Sequence, residues 1–274
     1  MPRILHVLDH SLPLHSGYTF RTRAILKAQK AAGWDVAGIT GVRQYQHGLV
    51  PGAPSQIVDG LTFHRTLAEA NGPTPLREWR EVSLLADAII ALHDEWPFDL
   101  LHAHSPALNG LAAVRASQHL AVPLVYEIRA FWEDAAVGNG NSSEGSARYR
   151  LTRALENHVV RHSDHVAVIC EGLKRDLIAR GVAPAKIVVS PNGVDLDLFG
   201  SPPPADEALA EKRRPVAHQP IIGGIISGEF VEVIAEGIGG TEQRAEHGEA
   251  GIDRIAPDPH DRGARKGAKD GADI

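Results

Sequence analysis

Three short stretches of this chain carry side chains whose types and spacing can do chemistry. The first is His10-Ser11-Leu12-Pro13-Leu14-His15-Ser16-Gly17-Tyr18-Thr19, which follows the apolar run Ile4 to Leu8. Gly17 there would let the backbone approach a phosphate, and a helix starting at that point would add free N–H donors and a positive dipole. The plain alternative is a strand-to-helix turn that merely needs one glycine. A dinucleotide fingerprint requires glycines in G-x-G-x-x-G spacing, and only Gly17 is present, so no nicotinamide or flavin cofactor is expected. The second stretch is His102-x-His104, whose imidazoles share a face if the segment is a strand. Metal binding would need matched geometry and usually a carboxylate, so satisfied histidines and no metal are expected, and the same holds for His158, His162 and His165. The third is Glu127-x-Arg129 with Glu133 close behind. Two carboxylates can share acid and base work, but at a strand end they are often held by neighbouring N–H groups. Cys170 precedes a helix and could become a thiolate there, although a small buried residue is the preferred reading.

Those residues need elements to hold them, and the hydrophobic pattern supplies an alternation of short strands and amphipathic helices. Strands are expected at Ile4–Leu8, Asp35–Thr40, Asp99–Ala103, Pro123–Ile128, His165–Ile169 and Lys186–Ser190, with two more flanking the Asp59-Gly60 turn between Gln56 and Thr66. Helices are expected from Gly17 to Ala32 with Ser16 as cap, from Leu76 onward, from Pro106 to His119, around Leu151, Leu155 and Val159, and from Glu171 to Arg180. The helix from Leu76 places Leu76, Trp79, Val82, Leu85, Ile89 and Leu92 at helical spacing. Residues 135–145, rich in Gly, Asn and Ser, read as a mobile loop. The fold class is therefore α/β, a Rossmann-like doubly wound parallel sheet.

Composition narrows the function. A net charge of −6 gives no reason to expect a nucleic-acid partner. Cys170 is the sole cysteine, which excludes an internal disulfide. No apolar run approaches the roughly 18 residues that span a bilayer, and the N-terminus reads as a buried strand rather than a signal peptide, so the expected location is cytoplasmic. Arg21, Arg23, Lys27 and Lys30 give the first helix a basic face that could meet anionic lipid, or simply solvent.

The segments Asp9 to Arg23, Leu101-His102-Ala103-His104-Ser105-Pro106 and Tyr126-Glu127-Ile128-Arg129-Ala130-Phe131-Trp132-Glu133-Asp134, followed by Ile169-Cys170-Glu171-Gly172-Leu173-Lys174 and Pro191-Asn192-Gly193-Val194-Asp195, resemble family 4 glycosyltransferases in order. They are most similar to the branch found beside bacterial exosortase and exopolysaccharide genes. The resemblance implies the GT-B fold, two Rossmann-like domains facing across a cleft, with the acceptor on the N-terminal side and the nucleotide-sugar on the other. It implies retention of anomeric configuration, no cofactor and no catalytic metal. It also implies a donor and acceptor cleft lined by Ser16, Gly17, Tyr18, His104, Glu127, Arg129 and Asn192. Many relatives carry His where this chain has Arg129, and Arg there could clamp an anionic acceptor.

The resemblance covers residues 1–200 as an acceptor-side domain, and residues 201–274 read as an atypical tail. Residues 1–210 hold 25 leucines and residues 211–274 none, where roughly seven or eight would be expected at the same density. The tail also offers no pair of glutamates with seven residues between them, which the family uses to hold donor sugar and ribose. Beyond Gly237 it is Gly, Ala and charge without a period, which favours disorder. The expected function is thus a glycosyltransferase acceptor domain, truncated or frameshifted and inactive alone. Its parent would move sugar from a nucleotide-sugar to a lipid-linked or polysaccharide acceptor. A non-catalytic acceptor-binding or scaffold module, and an unrelated Rossmann-like enzyme, are the alternatives.

Overall fold

The computed structural model describes residues 1–47 and 52–194, and the readings made above for residues 201–274 lie outside the described residues. Among the described residues, eight strands, β1 (Arg3–Leu8), β2 (Asp35–Thr40), β3 (Ser55–Val58), β4 (Leu61–Arg65), β5 (Leu100–His104), β6 (Leu124–Ile128), β7 (His165–Val168) and β8 (Ile187–Val189), form one sheet. Its order is β3-β4-β2-β1-β5-β6-β7-β8, parallel throughout except for β3 against β4. The α/β doubly wound class is thereby shown. The chain starts in the middle at β1, winds outward to β4, then returns to β5 on the other side of β1. This reversal between β1 and β5 is the point where ligands gather in such sheets.

The helices are α1 (Gly17–Ala31), α2 (Leu76–Glu95), α3 (Ala107–Leu120), α4 (Trp132–Gly138), α5 (Ala147–His162) and α6 (Glu171–Ala179). Most boundaries fall within a residue of those expected, because the stop signals are local. Gly33 at φ 88° and Gly181 at φ 91° end α1 and α6 in the left-handed region that glycine alone enters freely. Asp59 and Gly60, both at positive φ, make the two-residue turn between β3 and β4.

Leu76 and Trp79, which share the helical spacing of α2, are 58% and 66% exposed, so its buried apolar stripe begins at Val82. One expectation is corrected: residues 135–138, expected within a loop over 135–145, are the end of α4, whose first turn carries Glu133 and Asp134 to complement the helix dipole. A 3-10 segment at Val42–His47 had no sequence signal.

Alternate strand residues feed two cores. Leu5, Val7, Leu101, Ala103, Leu124, Tyr126 and Ile128 meet α2, α3 and α5 on one face. Ile4, Leu8, Leu100 and Val125 join Leu26 of α1 on the other. The second face is the unusual one, because the positions between its apolar residues are His6, His102, His104 and Glu127.

Candidate functional site: a buried polar seam under α1

Register explains why these four meet. His6 pairs with His102 across β1 and β5, and His104 with Glu127 across β5 and β6. With a side-chain period of two, all four project from the same face. All are fully buried. Helix α1 lies over them and turns inward a stripe in which Tyr18, Thr22 and Gln29 are polar, and Thr22 and Gln29 are buried.

Two arginines converge on the Glu127 carboxylate. Arg21 Nε and Arg129 Nε both donate to Glu127 Oε1, at 2.8 and 2.9 Å. Arg129 also donates to the Tyr18 carbonyl at 2.8 Å, to Thr22 Oγ1 at 3.0 Å and to His104 Nδ1 at 2.8 Å, and its guanidinium stands 4.2 Å from the Tyr18 ring centre. Arg21 spends its remaining donors on the chain that leaves β8. It reaches the Pro191 carbonyl and Asn192 Oδ1 at 3.0 Å each, and the Ser190 carbonyl and Oγ at 2.8 and 3.3 Å. His102 Nε2 lies 3.3 Å from the other Glu127 oxygen. Behind His104 the seam continues: His104 Nε2 meets His6 Nδ1 at 2.9 Å, and His6 Nε2 meets Gln29 Oε1 at 2.7 Å.

Burial favours neutral imidazoles, and it holds His6 and His104 well below the usual range for histidine. Burial likewise lowers His102, against the pull of Glu127. Burial alone would raise the Glu127 carboxyl, but the positive charges of Arg129 and Arg21 hold it well below the usual carboxylate range. The seam is therefore an ionised carboxylate under two cations, backed by neutral histidines.

Such a histidine group invites comparison with a metal site. Among the described residues, His6, His102 and His104 bring ligand atoms within 4.8 Å of one another. However, His6 Nδ1 and His104 Nδ1 already accept hydrogen bonds, and the His102 and His104 rings stack at 4.3 Å instead of converging on a point. Arg129 beside them also disfavours a cation. The group is better suited to passing hydrogen-bond direction than to holding an ion.

Of the residues expected to line the cleft, Tyr18, His104, Glu127, Arg129 and Asn192 are brought together, the last through Arg21. His104 and Glu127 form the floor beneath the arginines, because both are fully buried. Ser16 and Gly17 lie at the start of α1. Ser16 Oγ caps the helix by accepting from Thr19 N–H at 3.1 Å, and it meets His10 Nε2 at 2.8 Å. Gly17 is exposed, and a Cβ built there meets nothing within 4 Å. The turn before it is anchored from below by Arg65, which bonds Ser11 Oγ at 2.6 Å and the Leu12 carbonyl at 2.5 Å.

Arg21, His6 and Gln29 were not singled out as site residues from sequence. Arg21 was grouped with a basic helix face, but it turns inward, whereas Arg23 and Lys27 pair with Asp59 and Lys30 bonds the Gly60 carbonyl. The signal that could have found His6 is a histidine inside an otherwise apolar strand. Glu133 does not join Glu127: it is buried against Arg180 at 2.9 Å. Cys170 is exposed, contrary to the expectation of a buried residue.

With this geometry in place, comparison with known proteins defines the class: the chain belongs to the glycosyl transferase 4-like domain family, whose model matches residues 16–193. Among curated proteins it is similar to the D-inositol 3-phosphate glycosyltransferase of Kineococcus radiotolerans, 35% identical over 115 residues, or 41% of this chain and 26% of the relative. The enzyme of the same name from Mycobacterium leprae is 33% identical over 139 residues, 50% of this chain and 30% of the relative. The matched stretch thus spans less than a third of either relative. Among solved structures, the sucrose-phosphate synthase of Thermosynechococcus elongatus superposes with a TM-score of 0.55 at 18% identity, covering 78% of this chain and 53% of that one. This last likeness speaks to the fold, a Rossmann-like domain of the GT-B type. Among the described residues, no helix is long and apolar enough to cross a membrane.

Proposed function

We propose that residues 1–200 are the acceptor-side domain of a glycosyltransferase, and that Arg129 is the cation it presents to an anionic acceptor. The observation that carries this reading is the convergence of Arg129 and Arg21 on buried Glu127, close to the reversal point of the sheet. One carboxylate under two guanidinium groups leaves a net positive charge, and Arg129 keeps one NH1 hydrogen beyond its bonds to Glu127, Tyr18, Thr22 and His104 for a charge-assisted bond to a phosphate or carboxylate oxygen. The parent reaction moves sugar from a nucleotide-sugar to a lipid-linked or polysaccharide acceptor. The relatives named for D-inositol 3-phosphate support an acceptor that bears phosphate. Ser16 and Gly17, at the open N-terminus of α1, are assigned to the donor phosphates.

In this reading the chain alone does not complete transfer. Charge developing on the departing diphosphate must be met by preorganised positive groups from the donor side, and the sequence after Asn192 offers no glutamate pair of the family's spacing. The same observation favours, as a second reading, a module that binds acceptor without catalysis. We place the protein in the cytoplasm and among exopolysaccharide-forming enzymes of the exosortase-associated branch. Membrane contact would come through a lipid-linked acceptor, since Arg23 and Lys27 on α1 are paired with Asp59.

The test is an assay of purified chain with several nucleotide-sugars and a lipid-phosphate acceptor. Acceptor binding without multiple-turnover transfer is expected. Sustained turnover would overturn the assignment of the chain as an acceptor half only.

A further inference from the structure

We infer that His6 and Gln29 are positioning residues that aim the Arg129 guanidinium at the cleft by fixing the tautomer of His104. The inference rests on the reading of Arg129 as the acceptor-side cation. Its structural content can be tested separately.

An arginine can only donate hydrogen bonds, and this sets the direction of the whole chain. Because Arg129 donates to His104 Nδ1 at 2.8 Å, that nitrogen must carry a lone pair, and in a neutral ring the proton sits on Nε2. His104 Nε2–H then donates to His6 Nδ1 at 2.9 Å. His6 in turn carries its proton on Nε2 and donates it to Gln29 Oε1 at 2.7 Å. Reversing His6 alone would set its Nδ1–H against His104 Nε2–H, and reversing the whole chain would put an N–H on His104 Nδ1 against the Arg129 N–H at 2.8 Å, with the Glu127 Oε2 acceptor no nearer than 3.5 Å. His6 and His104 are fully buried and Gln29 is 4% exposed, so water is poorly placed to substitute for a lost partner.

The two arginines differ in what they have left to offer. A guanidinium has five N–H donors. All of those on Arg21 are matched by Glu127, Ser190, Pro191 and Asn192. Arg129 uses Nε once, NH1 once and NH2 twice among the described residues. Its second NH1 hydrogen remains for a ligand. Where that hydrogen points depends on how the guanidinium is turned, and NH2 is anchored by His104 and Thr22. Residue 6, on the other side of the seam, thereby reaches the cleft without touching it.

The test uses the full chain with ring nitrogens and arginine side chains labelled with nitrogen-15. In the wild type, His6 and His104 should both show the Nε2–H tautomer and no titration from pH 5.5 to 8.5, and Arg129 Nε–H should exchange slowly. His6→Phe leaves His104 Nε2–H without an acceptor. It should shift and broaden the Arg129 Nε–H signal and weaken binding of inorganic phosphate or D-inositol 3-phosphate at least fivefold. His6→Gln, which can accept from His104 and donate to Gln29, should restore both to within twofold. An Nδ1–H tautomer on His104 in the wild type would overturn the inference whether or not the variants fold. So would an Arg129 signal unchanged in His6→Phe, or His6→Gln as impaired as His6→Phe. The expected tautomers and arginine signals, with no binding of either phosphate, would sink the acceptor reading and leave the positioning role standing.

Discussion

Glu127 is the residue on which the seam depends, because it is the carboxylate shared by two nearly buried cations. Glu127→Leu would strand Arg21 and Arg129 together, and breaking a buried ion pair from one side costs about 3–5 kcal/mol. Urea denaturation should show that loss, and a change under about 1 kcal/mol would mean that the arginines find solvent easily. The titratable groups give stability two opposed pH limbs. The seam imidazoles, usual value 6.5, are lowered in the fold. As pH falls below 6.5 the unfolded chain takes up protons that the fold refuses, and stability drops by up to about 1.4 kcal/mol per pH unit for each group. Glu156 runs the other way. Buried among Tyr126, Glu133 and Arg180, its carboxyl is pushed up from 4.5 to about 7, chiefly by burial. Its contribution is full below 4.5 and lost as pH rises through about 7. Glu156→Gln should therefore stabilise at pH 8 by up to about 3 kcal/mol and change little at pH 5. Equal gains at both pH values would contradict this assignment.

At the scale of elements, α1 carries the site and α3 carries the packing. Gly110 on α3 faces its neighbours at close range: a Cβ there would sit 2.5 Å from Val159 Cγ1 on α5 and 2.9 Å from the Tyr126 ring on β6. Gly110→Ala should destabilise by about 1–3 kcal/mol despite alanine's better helix propensity, because overpacking a core outweighs that gain. A more stable variant, read by thermal unfolding, would show that α3 can shift outward. Nearly every element was legible in the sequence, because strands such as Leu124–Ile128 and stops such as Gly33 are set by local pattern. Leu76 and Trp79 lie outside the buried stripe, because helical spacing says which residues share a face but not where the partner surface ends. Of the candidate seam, His104, Glu127 and Arg129 stand out in the sequence and His6, Gln29 and Arg21 do not. Which strands neighbour one another, and which way α1 faces, are settled only by the sheet order.

For the molecule as a whole, the doubly wound sheet does two jobs with its two faces. One face packs apolar residues under α2, α3 and α5. The other buries a charged and hydrogen-bonded seam that runs from Gln29 to Asn192 and ties α1 to the chain leaving β8. A buried polar network of this kind is costly where an atom has no hydrogen bond among the described residues, as with Gln29 Nε2 and Glu127 Oε2, and it fixes the Arg129 guanidinium through its bonds to Glu127, Tyr18, Thr22 and His104. The central claim is that this cation receives the acceptor. It is tested most directly by calorimetric titration of the purified chain with a phosphate-bearing acceptor such as D-inositol 3-phosphate, for the wild type and for Arg129→Ala. Loss of one charge-assisted hydrogen bond costs about 1.5–3 kcal/mol, so affinity should fall on the order of tenfold to a hundredfold in the variant. Binding that is the same with and without Arg129, or absent from the wild type, would contradict the claim.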